Sequence, residues 1–579
     1  MSKYDIIRHD RLCGFANNKD MNNKKMIVWN HGEKIQIEPK KDEHIQRNLM
    51  EIFQDKGIYI TNSCRGNGIC GKCKVRIADT NLAVTEIERK VLSKNELEQG
   101  IRLACKISMA DVLKTDADNQ LIVEVLENQE ENIVVKSVEK KDISNKGKGE
   151  IINGFLAIDI GTTTIAMALV DISTGEVCDT YVSVNHQRVY GEDVLSRIVA
   201  ANEGKGDRLK DCIEKDLWKG IYYFLDKYNC VEKKDAWVEE QVGICISGIV
   251  IAGNTTMMHL LRGYSCESLG KYPFVSKYLV EKELFLHECI GVGFKSVSQE
   301  VYDIPVLLMP GISAFVGSDI VAGMLACPGF DDKEISYFLD LGTNGEMVLG
   351  NRDSMIATSV AAGPAFEGGN IICGTASVPG SICRIKISNR KPIIGTIGKK
   401  IPPVGICGSG LISVIAQLRK ENIIDFQGSL QQPFQKEGFS LWTFSDGEKL
   451  ALYQEDIRQF QMAKSAVRSG IEILRQEYGC QLENVKNVYV SGGFGTNLTV
   501  EDIIGSGLLP KEWEGKITFL GNTSLLGSIK VGIMRYGTKG KESVSFEVKL
   551  RRVLEKMQTV SVAKDEEFKR LYIENIDFV

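Results

Sequence analysis

Residues 62–75 read NSCRGNGICGKCKV and place Cys64, Cys70 and Cys73 in the spacing C-x5-C-x2-C, with Cys105 following in GIRLACKI. Three thiols in one tight loop and a fourth far along the chain form the donor set of a 2Fe-2S cluster, which takes four thiolates around two irons. Gly66, Gly68 and Gly71 let the backbone wrap closely and aim amide N–H groups at the sulfurs. They argue against a zinc knuckle, the alternative for four clustered thiols. The other twelve of the 16 cysteines are scattered and read as small buried hydrophobes or reduced thiols.

A second chemistry is written twice. Residues 154–166 are GFLAIDIGTTTIA, an apolar strand running into Asp159, Gly161 and three threonines, followed by another apolar strand with a turn at Thr174-Gly175. Residues 337–350, YFLDLGTNGEMVLG, repeat the design with Asp340, Gly342, Thr343, Asn344 and Gly345 in the turn. Such a β-hairpin brings amides and hydroxyls to a triphosphate while its aspartate positions hydrated Mg²⁺. A turn-forming Asx cap is the other reading for either aspartate.

The elements that must position these residues follow from periodicity. Residues 26–30 and 33–38 alternate as two strands around a His31-Gly32 turn. Ile45, Leu49, Ile52 and Phe53 sit at helical spacing within 43–55, and Leu121, Val123 and Val125 form one face of a closing strand. The expected organisation is a polar extension over 1–25, a ferredoxin-like module over 26–127, and a charged linker over 128–150. A first α/β lobe over 151–336 and a second over 337–579 with the C-terminal tail complete the chain. The linker is either a tether that lets the iron-sulfur module move or a segment packed passively on the next domain.

Composition sets the outer bounds. Apolar residues make up 43% and charged residues 25% of the 579, which places the chain with ordinary globular proteins rather than disordered ones. A formal net charge of −5 points to no nucleic-acid or membrane-surface role. The apolar stretches at 242–253 and from Ile304 onward are too short or too interrupted to span a membrane and read as buried core. The first 25 residues have no apolar core and no small-residue cleavage site, so a cytoplasmic protein is expected.

The order of motifs resembles the actin-like ATPase (ASKHA) superfamily, in which two similar halves close on ATP and each supplies a phosphate hairpin. PGISAFVGSDIVAGMLA (310–326), with Gly317 and Gly323 where closely packed helices would cross, falls where the first hinge helix belongs. VYVSGGFG (488–495) falls at the adenosine turn and GNTSLLGSIKVGI (521–533) at the last hinge helix. The cysteine spacing is similar to that of adrenodoxin-like ferredoxins. Together with GNTTMMHLLRG (253–263), AAGPAFEGGNIICG (361–374) and GICGSGLIS (405–413), the chain resembles the reductive activators of corrinoid-dependent methyltransferases. NHQ at 185–187 departs from the NPQ expected there, and the linker is shorter than in relatives with an extra linker domain.

The resemblance implies an α+β multi-domain protein, a β-grasp 2Fe-2S ferredoxin module followed by a two-lobed actin-like ATPase. Its cofactors would be the 2Fe-2S cluster, ATP and Mg²⁺. Its activity would be ATP-dependent transfer of one electron to the Co(II) corrinoid of a partner protein, regenerating Co(I). A low-potential donor such as ferredoxin or flavodoxin would load the cluster, and the chain could form a homodimer. Plant-type clusters lie near about −400 mV and Co(I) corrinoid is a stronger reductant, so other free energy must be coupled. The implied site residues are Cys64, Cys70, Cys73 and Cys105 for the cluster and Asp159 and Asp340 for Mg²⁺ and water. Gly161, Thr162, Thr163, Gly342, Thr343, Asn344 and Gly345 would meet phosphate, Glu367 the ribose, and Gly492 and Gly493 the adenosine. Glu367 as a solvated loop carboxylate and Asn254 as a structural turn or a γ-phosphate contact stay open. His259 reads as a satisfied core histidine, and Ser409 as a helix cap. The rival readings are an activator of another low-potential metalloenzyme and a kinase or chaperone whose cluster senses redox state.

Overall fold

The structure, a computed structural model, describes residues 25–126 except 31–32, 38–46, 59, 61–65, 67, 69–70, 72, 78–81 and 114–119. It also describes 151–578 except 229–242, 292, 294–296, 399–400, 446, 448, 494–496, 538–540 and 563–564. The extension before Lys25, the linker, the His31-Gly32 turn, Cys64 and Cys70 lie outside the described residues. The chain divides into two units, Met1–Asn128 and Gln129–Val579.

The first unit holds β1 (Lys25–Asn30), β2 (Glu33–Ile37), β3 (Lys74–Ile77), β4 (Ile101–Leu103) and β5 (Gln120–Val125) in the order β2-β1-β5-β3-β4. β1 and β2 are antiparallel with Asn30 opposite Glu33, so two residues make the connection. β5 runs parallel to β1 and antiparallel to β3, which makes it the central strand. Leu121, Val123 and Val125 enter the core with Val28, Val75, Leu49 and Phe53, as the alternation requires. The helix expected over 43–55 begins only at Leu49. Asn48 Oδ1 accepts from the Glu51 amide at 3.0 Å and Glu51 Oε2 from the Asn48 amide at 3.2 Å, and this capping box fixes Asn48 in an extended conformation that stops the helix there.

The second unit contains two sheets of the same construction. In one, β6 (Ile151–Ile160), β7 (Thr164–Asp171) and β8 (Val177–Val184) form an antiparallel meander. β9 (Gly243–Gly253) and β11 (Pro305–Leu308) then add in parallel on the far side of β6, and β10 (Lys282–Phe285) closes the edge. The two apolar stretches that could be mistaken for membrane spans are thus β9 and the run around β11. Among the described residues no helix is long and apolar enough to cross a membrane.

In the other sheet β12 (Ser336–Leu341), β13 (Gly345–Gly350) and β14 (Met355–Val360) repeat the meander. Two small sheets intervene, β15 (Ser381–Ser388) antiparallel to β16 (Lys391–Thr396) and parallel to the short β17 (Gly405–Ile406), then β18 (Phe439–Thr443) antiparallel to β19 (Lys449–Leu452). β20 (Asn487–Ser491) and β21 (Ile517–Gly521) add in parallel beyond β12, and β22 (Met557–Thr559) pairs with β14. The tail from 541 therefore closes the second sheet. Duplicated meander-plus-parallel sheets are the two lobes of the α/β ATPase architecture.

The lobes meet at two crossing helices, Ser318–Ala326 and Thr523–Tyr536. A Cβ on Gly527 would lie 1.9 Å from Ala322 O, and one on Gly323 would lie 2.8 Å from Phe338 Cζ and 2.9 Å from Thr523 Oγ1. The crossing is thus as close as two backbones allow. Gly317 does not share it: a side chain there would strike the Thr255 amide at 2.6 Å, so its place is against the turn after β9. The Ser409 cap is also corrected. Gly408–Lys420 is helical from Gly408, Cys407 is the N-cap residue without a side-chain cap bond, and Ser409 is buried in the first turn.

Candidate functional site

The β3–β4 pairing sets Lys74 opposite Leu103, and Ala104 N donates to Cys73 O at 2.8 Å. That register delivers Cys73 and Cys105 to one spot, Sγ to Sγ 3.3 Å apart, far beyond the roughly 2.05 Å of a disulfide. Two thiolates at one tetrahedral metal with bonds of about 2.3 Å lie about 3.7 Å apart, so the pair suits a shared iron. The Cys105 thiol beside it, against the opposing effect of burial, holds the Cys73 thiol below its ordinary range. Gly66, Gly68 and Gly71 all take positive φ, and Lys106 Nζ donates to Gly66 O at 3.0 Å, pinning the ligand loop to the residue after Cys105. Buried Glu88 accepts both Nε and Nη2 of Arg102 at 3.0 Å and the Leu103 amide at 3.1 Å, fixing the strand that leads to Cys105.

The two phosphate-type hairpins face one cleft between the lobes. Gly161 N donates to Thr164 O and Gly342 N to Asn344 O, each at 2.9 Å, so both turns close on a glycine amide. The first turn is braced from its own lobe: Asn185 Nδ2 donates to Gly161 O at 2.8 Å, Arg197 Nη2 to Thr162 O at 2.6 Å and Asn254 Nδ2 to Thr162 Oγ1 at 3.0 Å. Asn254 also caps the helix Thr255–Leu261 through Oδ1 to Met257 N, so one side chain serves both the helix and the turn. His259 is fully buried, with Nδ1 on Ser265 O and Nε2 on Ser276 Oγ: a satisfied core histidine, as expected.

Asp159 and Asp340 are joined through the start of the hinge helix. Asp159 accepts Asn522 Nδ2 at 2.8 Å and Ser524 Oγ at 2.7 Å. Asp340 accepts Ser491 Oγ at 3.2 Å, and Ser491 shares a 2.7 Å bond with Thr523 Oγ1. Two further acids, which the sequence reading did not single out, belong to this cluster: Asp319 in the first turn of the Ser318–Ala326 helix and Glu346 opposite Asp340 across the hairpin. Burial, then the charges of Asp340 and Asp159, pushes Asp319 up to about 8. Burial and Asp159 push Asp340 up to about 7. Asp159 and Glu346 are raised for the same reason, desolvation first. Four half-buried carboxylates in one cleft favour a divalent cation or protons.

Gly492 lies beside the second hairpin with φ +122, and a Cβ there would meet Leu341 O at 2.4 Å; Gly493 next to it faces open space. This is a backbone surface a flat ring can approach. Asn344 and Gly345 sit at the hairpin tip, partly exposed and buried respectively. Glu367 is not a solvated loop carboxylate: it ends a short 3-10 turn, Pro364–Glu367, and lies between the hairpins. Oε1 accepts the Thr343 amide at 3.0 Å, and Oε2 accepts Thr343 Oγ1 at 3.0 Å and the hydroxyl of Thr163 from the other lobe.

Residues 334–579 match the C-terminal domain of RACo, the ASKHA domain; 155–332 match the RACo middle region; 31–110 match a 2Fe-2S iron-sulfur cluster binding domain. Corrinoid activation enzyme RamQ of Eubacterium limosum is 30% identical over 402 residues, 64% of this chain and 63% of RamQ. A Co(II) methylated amine-specific corrinoid protein reductase of Methanosarcina barkeri is 27% identical over 394 residues, 64% of this chain and 68% of that protein. The matched region thus spans just under two thirds of RamQ. A solved structure described as a reductive activator for corrinoid, iron-sulfur protein superposes with a TM-score of 0.64 at 26% identity, covering 96% of this chain and 98% of that one.

Proposed function

Because the chain belongs to the RACo family of corrinoid reductive activators, an iron-sulfur domain joined to an ASKHA ATPase, we propose that it reactivates the corrinoid of a partner methyltransferase system. The reaction is Co(II) plus one electron to Co(I), driven by hydrolysis of ATP to ADP and phosphate. A paired-thiol metal site and a two-lobed phosphate cleft in one polypeptide carry this reading, since neither element alone calls for the other.

Cys73 and Cys105, with Cys64 and Cys70 from the ligand loop, hold the cluster. When bound, the 2Fe-2S group supplies a one-electron carrier near about −400 mV, loaded by a low-potential donor such as ferredoxin or flavodoxin. Asp159 and Asp340 hold hydrated Mg²⁺ at the phosphates, and the amides and hydroxyls of Gly161 to Thr163 and Gly342 to Gly345 bind phosphate oxygens. Gly492 and Gly493 take the adenosine. Asp319, which burial and the charges of Asp340 and Asp159 push up to about 8, would orient the hydrolytic water in its ionised form. Nucleotide binding favours the closed arrangement of the lobes, and that closed state grips the Co(II) partner.

The test is ATP hydrolysis by the full chain with and without a Co(II) corrinoid protein. Acceleration by the Co(II) form is expected. An unchanged rate with every corrinoid protein tried would remove the target and leave an ATPase with an electron carrier.

A further inference from the structure

Among the described residues, Glu367 makes the one set of bonds in the cleft that joins the two phosphate hairpins directly. Its carboxylate collects three donors, the amide and hydroxyl of Thr343 and the hydroxyl of Thr163. An amide and two hydroxyls converging from two glycine-rich turns are the donor set of an anion site, and here the anion belongs to the protein. The approach is built in. A Cβ at position 342 would stand 3.1 Å from Glu367 Oε1, so glycine there gives the carboxylate room, and Gly363 N donates to Thr343 O at 2.9 Å, tying the Glu367 segment to the second hairpin. Gly363 and Gly368, both at φ +80, flank the turn and let the chain reverse on either side of it.

The charge across the cleft makes the same demand. Arg197 is fully buried, and its donors go to Thr162 O, Gly191 O, Gln187 Oε1 and Met257 Sδ, all neutral. Among the described residues no carboxylate reaches ion-pairing distance of it. Burial, then the charge of Arg188, pushes Arg197 down to about 9; Asp193 opposes this most, and Glu367 also opposes it from the cleft. A buried guanidinium behind the Thr162 carbonyl favours negative charge on the hairpin's open side.

We propose that the meeting point of Thr163 and Thr343 is one anion position with two alternating occupants, the Glu367 carboxylate in the nucleotide-free protein and the terminal phosphate of ATP in the bound protein. The proposal rests on reading the cleft as the nucleotide site and goes beyond it: Glu367 is a phosphate-sensing latch rather than a ribose contact. Without nucleotide it holds the two hairpins together across the cleft. A γ-phosphate at the same donors expels it, because two anions cannot share them, and the freed Glu367 carboxylate reports the presence of ATP rather than ADP.

The experiment measures binding of Mg²⁺ with a non-hydrolysable ATP analogue, and with ADP, to the full chain and to Glu367→Gln and Glu367→Ala by calorimetry. Removing the competing anion should tighten the analogue at least tenfold in both variants and change ADP affinity less than threefold. As a second measurement, inorganic phosphate with ADP present should raise the thermal midpoint of Glu367→Ala but not of the parent, at matched ionic strength. Parent-like or weaker analogue binding by both variants, with ADP still bound, would overturn the exchange and leave the nucleotide site standing. A chain that binds neither nucleotide in any of the three forms would overturn both.

Discussion

The clustered carboxylates make Mg-nucleotide binding a proton-releasing event. With Asp319 pushed up to about 8 and Asp340 to about 7, Asp319 is about nine-tenths protonated at pH 7 and Asp340 about half, so the pair carries about 1.4 protons. Mg²⁺ arriving with the nucleotide favours the ionised forms, and at least that quantity should leave, since Asp159 and Glu346 are raised as well. At pH 9 Asp319 and Asp340 are ionised beforehand and their share of the release falls to about 0.1 proton. The assay is calorimetric titration with Mg-nucleotide in two buffers of different ionisation enthalpy at each pH, after subtracting the nucleotide's own proton balance. Asp340→Asn should cut that share at pH 7 to less than about 0.9 proton, because losing the neighbouring charge also lowers Asp319. The same groups set the stability of the free chain. Their raised values mean the folded state keeps protons that the unfolded state gives up above about pH 4, so their contribution is full below pH 4 and is lost as pH rises through 7 to 8. Equal proton release at pH 7 and pH 9, or none at either, would refute the assignment of bound protons to this cluster.

Three further outcomes are expected. Gly527→Ala places a methyl 1.9 Å from Ala322 O, so the hinge helices must separate; overpacking of this kind costs about 1–3 kcal/mol, read as a lower thermal midpoint, with nucleotide binding weakened further. Glu88→Gln strips the charge partner from buried Arg102 at a cost of about 3–5 kcal/mol, and the loss should appear in the unfolding of the iron-sulfur unit while nucleotide affinity is kept. Cys73→Ser should abolish the visible absorption of the iron-sulfur chromophore without changing ADP affinity; an intact spectrum would remove Cys73 from the ligand set.

The placement of both hairpins was legible in the sequence because it is carried by short turns. An aspartate before a glycine-threonine turn between apolar strands has few places to go, and both hairpins formed with Asp159 and Asp340 facing one cleft. The cysteine spacing likewise required Cys105 to come back to the loop, which the β3–β4 register does. What escaped depends on long-range approach. Asp319 reads as an ordinary first-turn acid, and only helix crossing puts its charge beside Asp340. Arg197 is one of many basic residues until burial removes its solvent. Glu367 was singled out, but its partners Thr163 and Thr343 lie 204 and 24 residues away, a pairing no local pattern encodes. One signal was missed: Asn522-Thr523-Ser524 before an apolar helix is a cap signature, and those three side chains link the two aspartates. The helix expected over 43–55 is present over Leu49–Asp55, and only its start was misplaced, since Asn48 and Glu51 spell a capping box that sets it.

The central claim is the coupling of ATP to cobalt reduction, and the most direct measurement follows Co(I) by its visible absorption after mixing the anaerobically reduced full chain with a Co(II) corrinoid protein of a methyltransferase system. Co(I) should form with Mg-ATP, fail to form with Mg-ADP or without nucleotide, and disappear in both Cys73→Ser and Asp340→Ala. Co(I) that forms to the same extent and at the same rate without nucleotide would contradict it.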